Sequence, residues 1–317
     1  MENPFNRSKD QIVGPANLDK EKEDAERRLR ILRHKGTEPI SLEDIEIEKT
    51  PRFKEVFNLA NNAILKKLAE LGVPEPEVLE DKRIHILPED YTELKMEENL
   101  GQYSPLKDNI LIKQQDFPNF FRTLVHELLH AYSINKFYIR KDEDDRNALG
   151  QYRSGYSLEY RSDDEEVLFE YFNEAVVDIL AKEIVEKNRL ELCKIYGFHE
   201  RFADIMRVEK SYEHPIKFLE NIVEKTAQLN SISKEDLWTK IAKGLFTGEM
   251  MHLRIFEKTF GPKTLRVIAS YRKNISQNEK DIFDDDYTDD TYEKYMSYFN
   301  AKPEEREKLA DELIRNG

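Results

Sequence analysis

The chain has 317 residues, enough for a substantial core and one or two domains. Its 64 acidic and 50 basic residues leave a formal net charge of −14, which argues against nucleic-acid binding and against attraction to anionic membranes. A single cysteine, Cys193, excludes an intrachain disulfide and a thiolate metal site, and the N-terminus lacks the apolar stretch of an export signal, so the cytoplasm is the expected location.

Residues 1–18 are polar, carry Pro and Gly, and read as a flexible arm. Residues 19–35 read as a highly charged helix with a thin apolar stripe of Ala25, Leu29 and Leu32. Thr50-Pro51 supplies a cap and a first-turn proline for a stronger helix, with Phe53, Val56, Phe57, Ala60, Ile64, Leu68 and Leu71 on one face. Gly72 and Pro74 end it. Residues 83–87 form a short strand in which His85 reads as half-exposed. Residues 99–113 read as two strand pieces around a Ser104-Pro105 turn.

A helix over 120–132 follows, with Asp116 as its cap and Pro118 in its first turn. Residues 141–164, with Tyr152, Tyr156 and Tyr160, fit a β-hairpin or a mobile loop. Ser162 and Glu165 make a capping box for a long apolar helix to about Asn188. Further helices are expected at 189–210, 215–229, 234–246, 249–260 and 262–273, with breaks at Gly244, Gly248 and Gly261. Residues 274–290 look like an acidic linker, and 291–316 like a charged terminal helix or helix pair. Cys193, among Leu190, Leu192 and Ile195, reads as a buried small hydrophobe.

The stretch that organises the chain is His126-Glu127-Leu128-Leu129-His130. Two histidines four apart on a helix face the same way, with Cβ atoms roughly 5–6 Å apart, a suitable bite for one zinc ion. Glu127 lies between them, within reach of a water on that ion. The competing reading is a pair of histidines packed on an amphipathic helix. Zinc catalysis needs a third protein ligand. The long apolar helix offers Asn173-Glu174-Ala175-Val176-Val177-Asp178, whose two acids share a face. Carboxylates in so apolar a run need partners or a metal. Glu174 is the expected ligand, and Asp178 the expected acceptor for the far ring N–H of a histidine, most naturally His126. Taken alone, the pair also fits a polar stripe facing solvent.

HELLH followed by NEAVVD resembles the gluzincins, zinc metallopeptidases with a glutamate third ligand. The second motif looks like the NE-containing helix of aminopeptidase-N-like enzymes and the Glu-x-x-x-Asp pattern of thermolysin-like ones. The spacer, 44 residues from His130 to Glu174, is longer than in thermolysin and more like that of lethal factor and the Pro-Pro endopeptidases. The resemblance covers residues 83–188. It implies an α+β, zincin-like fold, with a small mixed sheet over the HExxH helix and a mostly helical C-terminal lobe. An edge strand near Asn109–Ile112 would then pair with an extended peptide. Composition and pattern along the chain divide it into four segments: an arm and charged helix at 1–50, a catalytic core at 51–188, a helical lobe at 189–273, and an acidic linker with a C-terminal helix at 274–317.

The expected function is hydrolysis of peptide bonds by a zinc-activated water, with Glu127 as general base and zinc on His126, His130 and Glu174. The long-spacer enzymes place a tyrosine two turns before the glutamate. Here that position is Val167, so Tyr171 and Tyr156 are the substitutes for an oxyanion donor, with His214 and His252 behind them. The alternatives are a zinc-binding regulatory protein without turnover and a metal-free helical scaffold. Partners are a peptide or protein substrate, without nucleic acid or membrane. The sequence leaves oligomeric state, substrate sequence and endo- against exopeptidase action open.

Overall fold

The computed structural model describes residues 10–13, 27, 29, 45–91, 100–141, 147–159, 167–199, 213–271 and 285–316. The fold is α+β. The chain divides into two compact units, one of Met1–Ser154 with Leu180–Glu209, the other of Gly155–Ile179 with Lys210–Gly317.

In the first unit, α1 (Pro51–Glu70) starts as its sequence dictates. The Thr50 hydroxyl accepts the Phe53 N–H at 3.2 Å and Pro51 sits in the first turn. Phe53, Val56, Phe57, Ala60, Ile64 and Leu68 are buried, and full burial of such a side chain contributes about 1.5–3 kcal/mol. The helix ends in a Schellman arrangement. Gly72 is left-handed, its N–H bonds the Ala69 carbonyl, and the Val73 N–H bonds that of Leu68.

A three-stranded sheet follows, built of β2 (Ile84–Leu87), β3 (Gly101–Ser104) and β4 (Asn109–Lys113) in the order β2-β4-β3. β2 runs parallel to β4, with Ile84 opposite Ile110. β3 runs antiparallel to it, with Gly101 opposite Ile112. The two strand pieces around Ser104-Pro105 are therefore present, but β4 is the central strand and not the expected edge. Its composition gives the reason: Ile110, Leu111 and Ile112 are all buried, the pattern of a strand covered on both faces. Arg83 pairs with Asp108, which also accepts from the Tyr103 hydroxyl at 3.3 Å and so ties down the β3–β4 turn. His85 is half-buried and bonds Glu46 at 2.9 Å.

α2 (Asn119–Tyr132) buries Phe120, Phe121, Leu124, Val125, Leu128, Leu129 and Tyr132. Its start corrects the expected cap. Pro118 stands just ahead of the helix, and Asp116 contributes its main-chain carbonyl to the Phe120 N–H at 3.2 Å; no side-chain cap is formed. The helix packs on α1 through the edge-on rings of Phe53 and Phe120, 6.2 Å apart. The buried Tyr132 hydroxyl donates to Asn61 at 2.5 Å and accepts the Leu79 N–H at 3.1 Å. Beyond α2, β5 (Asn135–Lys141) and β6 (Asn147–Ser154) form an antiparallel hairpin, in keeping with the hairpin alternative for that region. β1 (Asp10–Val13) runs parallel to β5, so part of the expected arm is a strand. Of the charged helix expected at 19–35, Arg27 and Leu29 are described; both are helical and Leu29 is buried. The rest of it lies outside the described residues.

α3 (Glu170–Tyr196) is a single helix, and the division between the units falls inside it, after Ile179. It starts later than expected. Val167 and Leu168 belong to a strand, β8 (Val167–Leu168), and Phe169 is left-handed at φ 60°, which no helix interior tolerates. Ser162 and Glu165 of the proposed capping box lie outside the described residues. The helix also continues through Arg189 without the expected break. It stops at left-handed Gly197, where the Phe198 N–H reaches the Cys193 carbonyl at 2.8 Å. Residues 200–210 of the next expected helix are likewise not described.

In the second unit, β7 (Ser157–Glu159) pairs antiparallel with β8. The helices among the described residues are α4 (Glu213–Asn230), α5 (Lys234–Thr247), α6 (Arg254–Phe260), α7 (Thr264–Ala269), α8 (Asp285–Asn300) and α9 (Pro303–Asn316); α4 and α5 keep the sequence-based bounds, whereas α6 starts later than expected and α7 ends earlier. Ser233 caps α5 by accepting the Asp236 N–H at 3.2 Å. Phe218, Tyr271, Tyr295 and Phe299 form an aromatic core, with Phe218 and Tyr271 stacked at 4.1 Å. Two further expectations change. Residues 285–290 open α8 and are not linker; residues 274–284 lie outside the described residues. Gly244 does not break α5 but sits inside it. Among the described residues no helix is long and apolar enough to cross a membrane.

Candidate metal centre

α2 carries the HExxH residues. The helical repeat that buries Leu124, Val125, Leu128 and Leu129 sets His126 and His130 one turn apart. Their rings stand at 64° with centroids 4.8 Å apart, and their Nε2 atoms approach to 3.1 Å. Two nitrogens on one tetrahedral zinc, each at about 2.0–2.1 Å, stand about 3.3 Å apart. The imidazoles are thus already turned toward a common point.

Glu174, in the first turns of α3, joins them. Ligand atoms of His126, His130 and Glu174 all lie within 4.8 Å of one another. His130 and Glu174 are half-buried. Two imidazoles and one carboxylate make up the donor set of catalytic zinc sites that keep a fourth position open. The three residues therefore fit a divalent metal by donor chemistry and by convergence. Asp178 follows one turn after Glu174 and is 1% exposed. A carboxylate so deep needs a donor or a cation, as its sequence context implied.

Glu127 is 6% exposed and sits against β3. A Cβ built on Gly101 would stand 2.6 Å from Thr123 Cγ2, 2.8 Å from Glu127 Cγ and 3.0 Å from Glu127 Oε1. The strand backbone thus touches the stem of the glutamate, an approach that only glycine permits. Gln115 holds β3 in place. Its amide donates to the carbonyls of Leu100 at 3.3 Å and Lys113 at 3.2 Å, and its oxygen accepts from the Thr123 hydroxyl on α2 at 3.2 Å. Sequence reasoning missed Gly101, Thr123 and Gln115. The one available signal was a lone glycine at the head of a strand, which marks a close backbone approach.

Tyr156, one of the two expected oxyanion donors, has its hydroxyl engaged within the second unit. It is fully buried in the second unit. Its hydroxyl donates to the Ile241 carbonyl at 2.8 Å and meets His252 Nε2, also at 2.8 Å. With the hydroxyl proton on Ile241, the His252 N–H is the donor in the second bond. Gly244 makes the room: a Cβ there would stand 2.1 Å from the Tyr156 oxygen and 2.4 Å from His252 Cε1. Tyr156 and His252 are therefore accounted for by packing. Tyr171 is half-buried, with its ring edge-on to Tyr271 at 6.4 Å, and His214 is half-buried near the start of α4.

Comparison with protein families, with characterised proteins and with solved structures finds no match.

Proposed function

We propose that this protein is a zinc-dependent peptidase of zincin-like fold. The observation that carries the reading is the convergence of His126, His130 and Glu174 on one point, beside the buried carboxylate of Glu127 on the same helix. His126, His130 and Glu174 would hold the ion. When bound, zinc supplies the Lewis acidity that brings a coordinated water toward pKa ~7 and polarises a carbonyl.

The chain's own groups do the rest. Glu127 takes the proton from the attacking water and delivers it to the leaving amine. Its contact with Gly101 fixes the direction from which it does so. Asp178 is the proposed acceptor for the distal N–H of a liganding imidazole. An extended peptide would add to β3, the strand that touches Glu127, and not to β4, whose two sides are already paired.

The test is Glu127→Gln. The variant should retain stoichiometric zinc and lose cleavage of casein or of a peptide library. Undiminished cleavage would rule out Glu127 as the base. The sequestration of the Tyr156 hydroxyl favours one second reading, a zinc-binding regulatory protein without turnover. Stoichiometric zinc with no cleavage of any peptide pool by the wild-type protein would select it.

A further inference from the structure

Asn173 precedes Glu174 on α3 and is 2% exposed. A buried primary amide needs partners for both its oxygen and its nitrogen. Its Oδ1 accepts the Tyr156 main-chain N–H at 2.8 Å, and its Nδ2 donates to Glu174 Oε1 at 3.4 Å. One side chain thereby joins the turn at Gly155-Tyr156 to the carboxylate of the next residue. The turn is built around this amide. Gly155 is left-handed at φ 56°, and a Cβ on it would stand 2.3 Å from Asn173 Oδ1. Tyr156 is anchored in turn by its hydroxyl on Ile241 and His252.

We propose that Asn173 is a positioning residue for Glu174. The reading of Glu174 as a metal ligand is its premise. Held by the turn, the Asn173 amide fixes one carboxylate oxygen of Glu174 and so stops the side chain from swinging through its other rotamers. Donors behind a ligating carboxylate typically change metal affinity about 10–100-fold when removed. The whole relay lies in the second unit, made of Gly155, Tyr156, Asn173, Glu174, Ile241 and His252.

The experiment is a double-mutant cycle on Zn2+ affinity, read by competition with a chromophoric chelator on the full chain, with Co2+ absorption as a second signal. Asn173→Ala should weaken Zn2+ by about 10–100-fold and shift the visible Co2+ band. Glu174→Ala should weaken it at least as much. In the Glu174→Ala background, Asn173→Ala should change affinity by less than about twofold, because its effect passes through the missing carboxylate. Equal losses in both backgrounds would show a general structural role and overturn the proposal. So would an Asn173→Ala affinity within twofold of wild type while Glu174→Ala binds weakly. If Glu174→Ala binds Zn2+ as tightly as wild type, the ligand reading itself fails, and the proposal with it. Should Asn173→Ala not fold, Asn173→Ser takes its place in the cycle, since a helical serine can satisfy its hydroxyl on the preceding turn.

Discussion

Gly101→Ala is the sharpest probe of how the sheet seats the proposed base. The glycine φ lies outside the left-handed region, so alanine suits the backbone and the effect is one of space. The new methyl would lie 2.6 Å from Thr123 Cγ2 and 2.8 Å from Glu127 Cγ, where ordinary contact begins at 3.4 Å. Thr123 must then retreat by about 0.8 Å and the Glu127 stem by about 0.6 Å, or β3 must lift off α2 by a similar amount. Overpacking of this kind costs about 1–3 kcal/mol, and the lower chain entropy of alanine over glycine offsets about 0.4–1 kcal/mol. The net loss, about 1–2 kcal/mol, corresponds to roughly 1.5–3 °C in melting temperature for a chain of this size. A displacement approaching 1 Å at a catalytic group costs up to about 10²-fold in rate, so kcat/KM should fall by roughly 10–100-fold. Zinc content should not change, because the methyl meets none of the three ligands. The assays are metal analysis, thermal melting and steady-state hydrolysis of a peptide that the wild type cuts. A variant that melts lower but keeps its full kcat/KM would refute the reasoning, since Glu127 would then have no need of its seat on β3.

Further outcomes are expected elsewhere in the chain. Tyr156→Phe leaves His252 and the Ile241 carbonyl without their shared partner, so it should lower stability by about 1–3 kcal/mol in a denaturant titration. Zinc affinity should be retained, because the main-chain N–H that meets Asn173 survives. Cys193 is buried, and loss of hydration raises its thiol pKa above the ordinary value. It should therefore react with a disulfide reagent only as the protein unfolds, with native reaction at the rate of a free thiol as the contrary result. The Lys263–Asp311 pair, 2.6 Å apart, ties the start of α7 to α9. Its hydrogen bond and charge hold the Asp311 carboxyl below its ordinary 3.8 and raise Lys263 above 10.5. The aspartate contribution is complete above pH 3.8 and is lost as pH falls through the lower folded value. The lysine contribution is complete below pH 10.5 and is lost as pH rises beyond the folded value. Asp311→Asn should flatten melting temperature against pH at both ends, slightly, because the pair is exposed. Parallel curves for the two proteins would contradict this.

Local rules carried far along this chain because the relevant physics is local. Thr50-Pro51, Ser233 and the apolar repeat of Phe120–Tyr132 mark helices through contacts three or four residues apart, and these helices stand close to where the spacing put them. The rules failed where a distant partner decided the outcome. Nothing near Phe169 in sequence announces a left-handed residue; its N–H goes to the carbonyl of Ala269, a hundred residues on. Gly244 looked like a helix break because its reason for being glycine is Tyr156, 88 positions earlier.

The sequence by itself determined the chemistry that the site can offer. Residues four apart on a helix share a face whatever surrounds them, so HELLH and NEAVVD each fixed a donor pair. Tertiary structure alone decided the rest: that Glu174 comes within 4.8 Å of both histidines, that β3 rather than β4 touches Glu127, and that the Tyr156 hydroxyl turns inward to His252. Those outcomes depend on close packing between segments far apart in the chain, where a methyl group or a buried polar atom settles which neighbour fits, and no short-range pattern encodes that choice.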